Sequence, residues 1–282
     1  MSSLDNGTLI IKANRLDETE DHVSRLSMRT VIKGNQYYKV GGNEHVINTN
    51  NFLLINQGQS YKTAFASKEE NEILIVAFKP TFAESLLHSL ITPEDRLLDN
   101  PYDSTQPVLF YEKTYESDPV IAARINSLME IANTELAIRK ESDMDSIYTD
   151  ILTRLLFLHR KVNGEIARFD SIKKSTGVEL YRRLYIARDY MDAHACERLT
   201  LNDIAKRACL SVHHFKRSFT SLFGITPHKY LIQKRLQSAE ALLLNSAMPV
   251  QDICTATGFE NTSSFIRLFR IHTGKTPGVF RN

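Results

Sequence analysis

Basic and polar side chains recur at two places near the C-terminus of this 282-residue chain, with the spacing of one helix face. Residues three and four positions apart lie side by side on a helix. Arginine can bond guanine with two hydrogen bonds, lysine and arginine can hold phosphates, and valine or isoleucine can meet a thymine methyl group. The two faces therefore predict contacts with double-stranded DNA, made by Val212, His213, Lys216, Arg217 and Thr220 and by Thr262, Ser263, Ile266, Arg267 and Arg270.

The two faces belong to a duplicated segment within residues 199–282. Each copy has two blocks, one on each side of a turn. The first block recurs 49 residues later, as Ile204 and Ile253 show. The second block recurs 50 residues later, as these pairs show: Arg217 and Arg267, Phe219 and Phe269, Gly224 and Gly274, Pro227 and Pro277. The one-residue change falls in the turn between the blocks, where it leaves the flanking elements intact. Fixed-period similarity of this kind predicts two copies of one structural unit.

Each copy predicts a short helix, a tight turn and a second helix. Thr200 and Ser211 are N-cap candidates in the first copy, and Phe215 and Phe219 form the inward stripe of its second helix. This helix-turn-helix pattern places its second helix in a DNA major groove. Residues 227–244 between the copies predict a helix of roughly 26 Å. With the width of the flanking helices added, the two reading helices would lie about one DNA turn apart, ~34 Å. A single basic helix face is more often merely solvated, but two matched copies favour a DNA interface.

These residues resemble a known family, the AraC/XylS family of bacterial transcription regulators. The resemblance covers roughly the last 100 residues and is carried by Leu199-Thr200-Leu201, Asp203-Ile204-Ala205, Phe215-Lys216-Arg217-Ser218-Phe219, Gly224-Ile225-Thr226-Pro227, Gly258-Phe259, Ser263-Ser264-Phe265, Arg267, Phe269 and Thr276-Pro277. It implies base contacts by His213, Lys216 and Arg217 in the first copy and by Ser263, Ile266 and Arg267 in the second. It also implies an N-terminal cupin-like domain that receives a small-molecule effector, a homodimer, and contact with RNA polymerase.

Charge is distributed unevenly along the chain. Residues 176–282 carry 15 Lys or Arg and 8 Asp or Glu, a net charge of +7, whereas residues 1–175 carry a net charge of −5. The basic part is the one that DNA phosphates would attract. Cys196, Cys209 and Cys254 lack zinc-ligand spacing, so we expect reduced thiols in the core, with redox sensing as the alternative.

The N-terminal part predicts strands, from about residue 9 to residue 78. Short apolar runs separated by turns such as Gly41-Gly42 predict a small β-barrel or jelly roll. After residue 80 the pattern is helical, and residues 119–162 hold two helices with apolar stripes. The family uses such helices for dimerisation; alternatively, the stripes cover the barrel or each other.

The whole chain is predicted to be α+β, with three parts. Residues 1–165 form the cupin-like sensing and dimerisation domain, 166–176 a linker, and 177–282 an all-α DNA-binding domain with tandem helix-turn-helix units joined by a linker helix. No apolar leader or membrane span is found, which predicts a cytoplasmic protein.

The alternative function is a cupin-like enzyme, metal-free or metal-dependent, that carries a DNA-binding tail. The strand region offers His22, and His45 beside Glu44, but no His-x-His pair, so no metal and no cofactor are predicted. We expect His45 to be a half-exposed strand residue. Without metal, a barrel remains a concave container suited to a small molecule.

Overall fold

The computed structural model describes residues 6–13, 22–65, 71–92, 107–133, 141–167 and 174–281. The chain divides into two compact units, Met1–Arg182 and Arg183–Asn282. The first unit contains strands followed by helices, and the described residues of the second unit form helices and the segments that connect them. The predicted α+β class, with a β-rich N-terminal part and a helical C-terminal part, is confirmed.

The strands described in the first unit pair in two antiparallel sheets. Their bounds are β1 (Gly7–Ala13), β2 (His22–Val23), β3 (Ser27–Lys33), β4 (Gln36–Val40), β5 (Asn43–Ile47), β6 (Asn51–Ile55), β7 (Ser60–Phe65), β8 (Asn71–Ala77) and β9 (Thr114–Glu116). The first sheet has the order β1-β8-β3-β6-β9 and the second β2-β7-β4-β5. No ladder joins the two sheets among the described strands. The double-sheet form of the prediction is therefore present, and the closed barrel is not.

Side chains between the two sheets form the core of the strand region. Successive strand residues point to opposite faces of a sheet, and the inward ones make an apolar cluster of Val31, Tyr38, Val40, Ile47, Leu53, Ile55, Ile73 and Ile75. The alternate residues Met28, Leu54 and Val76 of the first sheet are buried too. This sheet is consequently covered on both faces. One contact to it comes from Tyr148, in the helix Glu141–Ala167, whose hydroxyl group is 2.8 Å from that of Thr8 in β1.

Three helices of the first unit are described: α1 (Phe82–Ile91), α2 (Pro119–Asn133) and α3 (Glu141–Ala167). The apolar stripes predicted for the second and third helices are buried within the chain, as Ile125 and Leu155 illustrate. The two helices pack against each other. The stripes thus serve the chain's own core, as the alternative interpretation held. Residues 134–140, which fall within the predicted range of these two helices, lie outside the described residues.

The second unit is built from seven helices in the described residues: α4 (Lys174–Ala193), α5 (Leu201–Arg207), α6 (Val212–Phe223), α7 (Pro227–Asn245), α8 (Val250–Ala256), α9 (Thr262–Thr273) and α10 (Pro277–Arg281). Helix α4 begins at Lys174, before the predicted domain start at residue 177, and the division of the chain into two units falls within this helix. Most of the predicted linker, residues 168–173, lies outside the described residues. The three domain ranges therefore stay predictions.

Two expectations about single side chains are wrong. His45 is fully buried, because its place in β5 turns it inward toward Glu112, where its Nε2 is 3.7 Å from the carboxylate. Of the cysteines, Cys254 is buried, whereas Cys196 and Cys209 are exposed in turns rather than in the core. Across the described ranges, no helix combines the length and apolarity that a membrane crossing requires.

Candidate nucleic-acid interface

The first helix-turn-helix unit consists of α5, a turn and α6. Thr200 and Asp203 form a reciprocal capping box at the start of α5. Ser211 caps α6, since its hydroxyl accepts the backbone N–H of His214 at 3.3 Å. Phe215 and Phe219 of α6 are fully buried with their rings 5.3 Å apart. These contacts fix which face of α6 points outward.

The outward face of α6 carries the predicted cations. His213, Lys216 and Arg217 are all exposed, and no ion pair is recorded for Lys216 or Arg217 in the described part of the chain. Val212 and Thr220 are half-buried, and the Thr220 hydroxyl donates to the carbonyl of Lys216 at 2.8 Å. That hydroxyl is thus partly used by its own helix. His213, Lys216 and Arg217 are the three side chains most available to a ligand on this face.

The second unit repeats the arrangement with α8, a turn and α9. Asn261 caps α9 by accepting the backbone N–H of Ser264 at 3.0 Å. Phe265 and Phe269 are fully buried, at the positions that Phe215 and Phe219 hold in the first unit. The αL conformation of Gly274 ends α9, as that of Gly224 ends α6. The duplication read from the sequence is therefore a duplication of structure.

The outward face of α9 lacks a cation at the position that Lys216 holds in α6. Ser263, Arg267 and Arg270 are exposed, and Thr262 is half-buried. Ile266 stands where Lys216 stands in the first unit, but it is half-buried and packs against the apolar core around Phe265. Its predicted outward position is thus only partly realised, because a branched apolar side chain at the edge of the face gains more from the core than from water.

The linker helix α7 joins the two helix-turn-helix units and packs against both of them. Thr226 caps it and Pro227 occupies its first turn. Its 19 residues span about 28 Å at the usual rise of an α-helix. This length agrees with the predicted spacing of roughly one DNA turn between α6 and α9, which stays a prediction.

Arg235 of α7 makes contacts that the sequence analysis did not predict. Its Nε donates to the carbonyl of Ala195 at 2.8 Å and its Nη2 to that of Glu197 at 2.8 Å. Its guanidinium also lies 6.0 Å from the ring of Phe259 in the second unit's turn. One side chain thereby ties the loop after α4 to the second helix-turn-helix unit. The sequence showed only an arginine within the predicted helix of residues 227–244.

A second network joins α4 to α7. The Tyr230 hydroxyl donates to Asp192 at 2.8 Å, and Lys234 lies 3.2 Å from the same carboxylate. Burial raises the pKa of Asp192, against the opposing effect of Lys234 and Arg188. The network orients α7, and through it the helix-turn-helix units that carry the exposed cations.

The strand domain shows no metal centre in the part of the chain that the structure describes, where no three His, Cys, Asp or Glu residues cluster. His45 pairs with Glu112, which also accepts a hydrogen bond from Asn43 at 2.8 Å. Burial works to raise the pKa of Glu112, but these partners and Arg182 outweigh burial and hold it below its ordinary value. The carboxylate is accordingly used in pairing within the fold.

Known proteins resemble this chain along both parts. A family model for an AraC-like ligand binding domain matches residues 22–146, and one for a helix-turn-helix domain matches residues 204–282. The thermoregulatory protein LcrF of Yersinia pestis is 25% identical over 254 residues, which cover 89% of this chain and 87% of LcrF.

Two shorter matches cover the helical part. The bifunctional transcriptional activator and DNA repair enzyme AdaA of Bacillus subtilis is 36% identical over 93 residues, 33% of this chain and 44% of AdaA. The crystal structure of the DNA-binding domain of AdpA in complex with a target DNA is 30% identical, with a TM-score of 0.34, and covers 35% of this chain and 88% of that one. The matches to the AraC-like ligand binding domain and to the helix-turn-helix domain together show that the chain belongs to the AraC/XylS family of DNA-binding transcription regulators.

Proposed function

We propose that this chain regulates transcription by binding specific sequences in double-stranded DNA through α6 and α9. The observation that carries the proposal is the exposure of Arg217 and Arg267 at equivalent positions of two capped recognition helices within one unit. The net charge of +7 in residues 176–282 has the sign that phosphates require.

Within this interface, we assign base reading and backbone contact to different residues. Base reading falls to His213, Lys216 and Arg217 of α6 and, with fewer contacts, to Ser263 and Arg267 of α9. Phosphate contact falls to exposed cations around them, which are Lys206, Arg270 and Lys275, with the half-buried Arg207. Val212, Thr220, Thr262 and Ile266 flank the reading residues, and Ile266 offers the exposed part of its side chain to a thymine methyl.

Selection of DNA from a random pool by the purified chain tests this function. We expect an enriched sequence that the chain binds at least a thousandfold more tightly than a scrambled duplex at physiological salt. Affinity for both duplexes should fall as salt rises, because bound phosphates release counterions. Equal affinity for enriched and scrambled duplexes would contradict sequence-specific regulation.

The N-terminal unit supplies two further functions in this proposal. It receives a small-molecule effector between its sheets, and it makes a homodimer through residues of the 119–162 region that stay exposed, notably Val120 and Phe157, which are 48% and 56% exposed. A Phe157→Asp change should shift the molecular mass measured by light scattering from that of a dimer to that of a monomer. An unchanged mass would place the dimer contact elsewhere.

The proposed protein acts by binding in the cytoplasm, where bacterial DNA and RNA polymerase are found, and not by catalysis. LcrF supports this interpretation because it is a regulator similar over most of the chain, whereas AdaA combines regulation with DNA repair. Metal analysis of the purified chain distinguishes the two cases. Stoichiometric metal would favour the enzymatic alternative.

A further inference from the structure

Arg29 lies between the two sheets of the N-terminal unit. On β3 it stands in register with Leu53 of β6 and Ile75 of β8, both of which belong to the apolar cluster between the sheets. Its side chain reaches Tyr61 of the opposite sheet, and the residue is 6% exposed. A permanent positive charge is thus placed inside an apolar core.

The described contacts of Arg29 are all with neutral groups. Its Nη2 donates to the Tyr61 hydroxyl at 3.1 Å and lies 3.4 Å from the Ser24 hydroxyl. The guanidinium carbon is 4.7 Å from the centre of the Tyr61 ring. Its buried Nε has no hydrogen-bond partner. Across the described ranges, no carboxylate forms an ion pair with Arg29.

Burial of a charge without a counter-charge is unfavourable, because neutral dipoles replace only part of its hydration. The nearby tyrosine Tyr38 does not supply the missing charge. Its burial raises its pKa above the ordinary value, so the phenol stays neutral. A bound anion would complete the set of partners around the guanidinium.

A second buried polar atom without a partner lies on the opposite sheet. Gln36 is 1% exposed and stands on the same face of β4 as Tyr38 and Val40, and its Oε1 has no hydrogen-bond partner. The interior therefore offers a donor at Arg29, an acceptor at Gln36, and aliphatic side chains around both. Apolar walls with a few polar groups are typical of small-molecule sites.

We infer that the space between the sheets binds a small organic monocarboxylate with an apolar body, and that Arg29 holds its carboxylate. This inference rests on the proposed effector function and names the chemical class of the effector. The Nε edge of a guanidinium matches the two oxygens of a carboxylate. One cation balances one negative charge, whereas a phosphate monoester carries about −1.5 to −2 and would leave excess charge in an apolar site.

Calorimetric titration of the full-length chain, without DNA, tests the inference. The probes are octanoate and benzoate, with octanamide and benzamide as uncharged counterparts of the same shape and inorganic phosphate as a second anion. We expect at least one carboxylate to bind tenfold or more tightly than its amide and than phosphate. Because no DNA is present, a failure here is separate from a failure of the proposed DNA binding.

Two variants assign the charge preference to a residue. Arg29→Met should abolish the tenfold preference for the carboxylate, because it keeps the volume and removes the charge. Lys39→Met should leave the preference intact. Lys39 lines a surface cavity of about 320 Å³ together with Lys62 and Gln59, and this cavity is the rival anion site.

Four results would overturn the inference: binding of neither carboxylate at millimolar concentration, equal binding of carboxylate and amide, equal binding of phosphate, or loss of the preference in Lys39→Met but not in Arg29→Met. The comparison of carboxylate with amide needs no variant, so it decides the matter even if Arg29→Met fails to fold.

Discussion

Cys209 and Gly258 stand at the same position of the two helix-turn-helix turns, and both hold positive φ angles, of 50° and 78°. Their surroundings differ. A Cβ atom on Gly258 would lie 2.7 Å from the carbonyl oxygen of Cys196 and 3.1 Å from Nε of Arg235. Cys209, by contrast, is an exposed residue that carries its side chain in this conformation. One turn thus requires glycine for both conformation and space, whereas the other holds a cysteine side chain in the same left-handed conformation.

Replacement of Gly258 by alanine should lower the free energy of unfolding by about 2–4 kcal/mol. The left-handed conformation costs about 1–2 kcal/mol for a residue with a Cβ, and the clash with a backbone carbonyl adds an overpacking cost. Urea unfolding of the full chain measures the change. Gly274→Ala is the control, because Gly274 has the same φ of 78° with nothing within 4 Å of its added Cβ, and it should cost only the conformational part, about 1–2 kcal/mol. Equal losses in the two variants would refute the close approach at Gly258.

Replacement of Cys209 by glycine should raise the free energy of unfolding by about 0.5–1 kcal/mol. Relief of the positive φ contributes about 1–2 kcal/mol, and the greater freedom of glycine in the unfolded chain offsets part of it. The backbone carbonyl that accepts from Arg183 at 3.1 Å is retained. Cys209→Ala keeps the Cβ and serves as the control, which should not stabilise. A thermal midpoint that falls in Cys209→Gly would show that the thiol contributes to the fold.

Replacement of Arg217 by alanine should weaken binding to the selected DNA by about 1–3 kcal/mol and relax the preference at one base pair. The physical reason is the loss of two hydrogen bonds to a base edge. Gel shifts with selected and scrambled duplexes measure both effects, and Lys39→Ala, which removes an exposed cation from the other unit, is the charge control. An equal loss on both duplexes would make Arg217 a phosphate contact only.

Replacement of Arg267 by alanine should weaken binding to the same DNA less than Arg217→Ala does. In α9 the position equivalent to Lys216 is Ile266, which is half-buried against the core, so Arg267 lacks the adjacent exposed cation that Arg217 has in Lys216. The two variants are compared on one selected duplex at one salt concentration. The reverse order of losses would show that α9 is the main reading helix.

Replacement of Asp118 by asparagine should lower the free energy of unfolding at pH 7 by about 1 kcal/mol. Asp118 caps α2 by accepting from the backbone N–H of Ile121 at 3.0 Å, and it pairs with Arg154 of α3. Burial acts to raise the pKa of Asp118, but these partners hold it below its ordinary value of 3.8. Asparagine keeps the cap and removes the charge.

The pH dependence of that difference has a definite sign. A depressed pKa stabilises the folded state fully above the unfolded value of 3.8, and this stabilisation is lost as the pH falls through the lower folded value. The difference in the free energy of unfolding between the wild type and Asp118→Asn should therefore become smaller below about pH 4. Asp150→Asn removes the exposed pair with Arg124, in which both side chains are over 40% exposed, and should change stability by less than 0.5 kcal/mol, roughly. A gap that is independent of pH would contradict the ion pair.

The helix-turn-helix units could be predicted almost completely from the sequence. Capping residues such as Thr200 and Ser211 and apolar pairs such as Phe215 and Phe219 act within a few residues of chain, and local spacing encodes them. The outward position of Arg217 follows from the inward position of Phe219. The extent of the strand region, from about residue 9 to residue 78, could be predicted in the same way, because residues such as Gly41-Gly42 mark its turns.

Other features were decided by the tertiary structure alone, because they depend on contacts between residues that are distant in sequence. These features are the double sheet in place of a closed barrel, the burial of Arg29 and His45, and the contact of Arg235 with the carbonyls of Ala195 and Glu197. A strand presents opposite faces with a period of two, so a shift of one residue in pairing would turn Arg29 outward. The periodicity of the sequence indicates which residues share one face of a strand, and only the assembled sheets determine which side chains that face contacts.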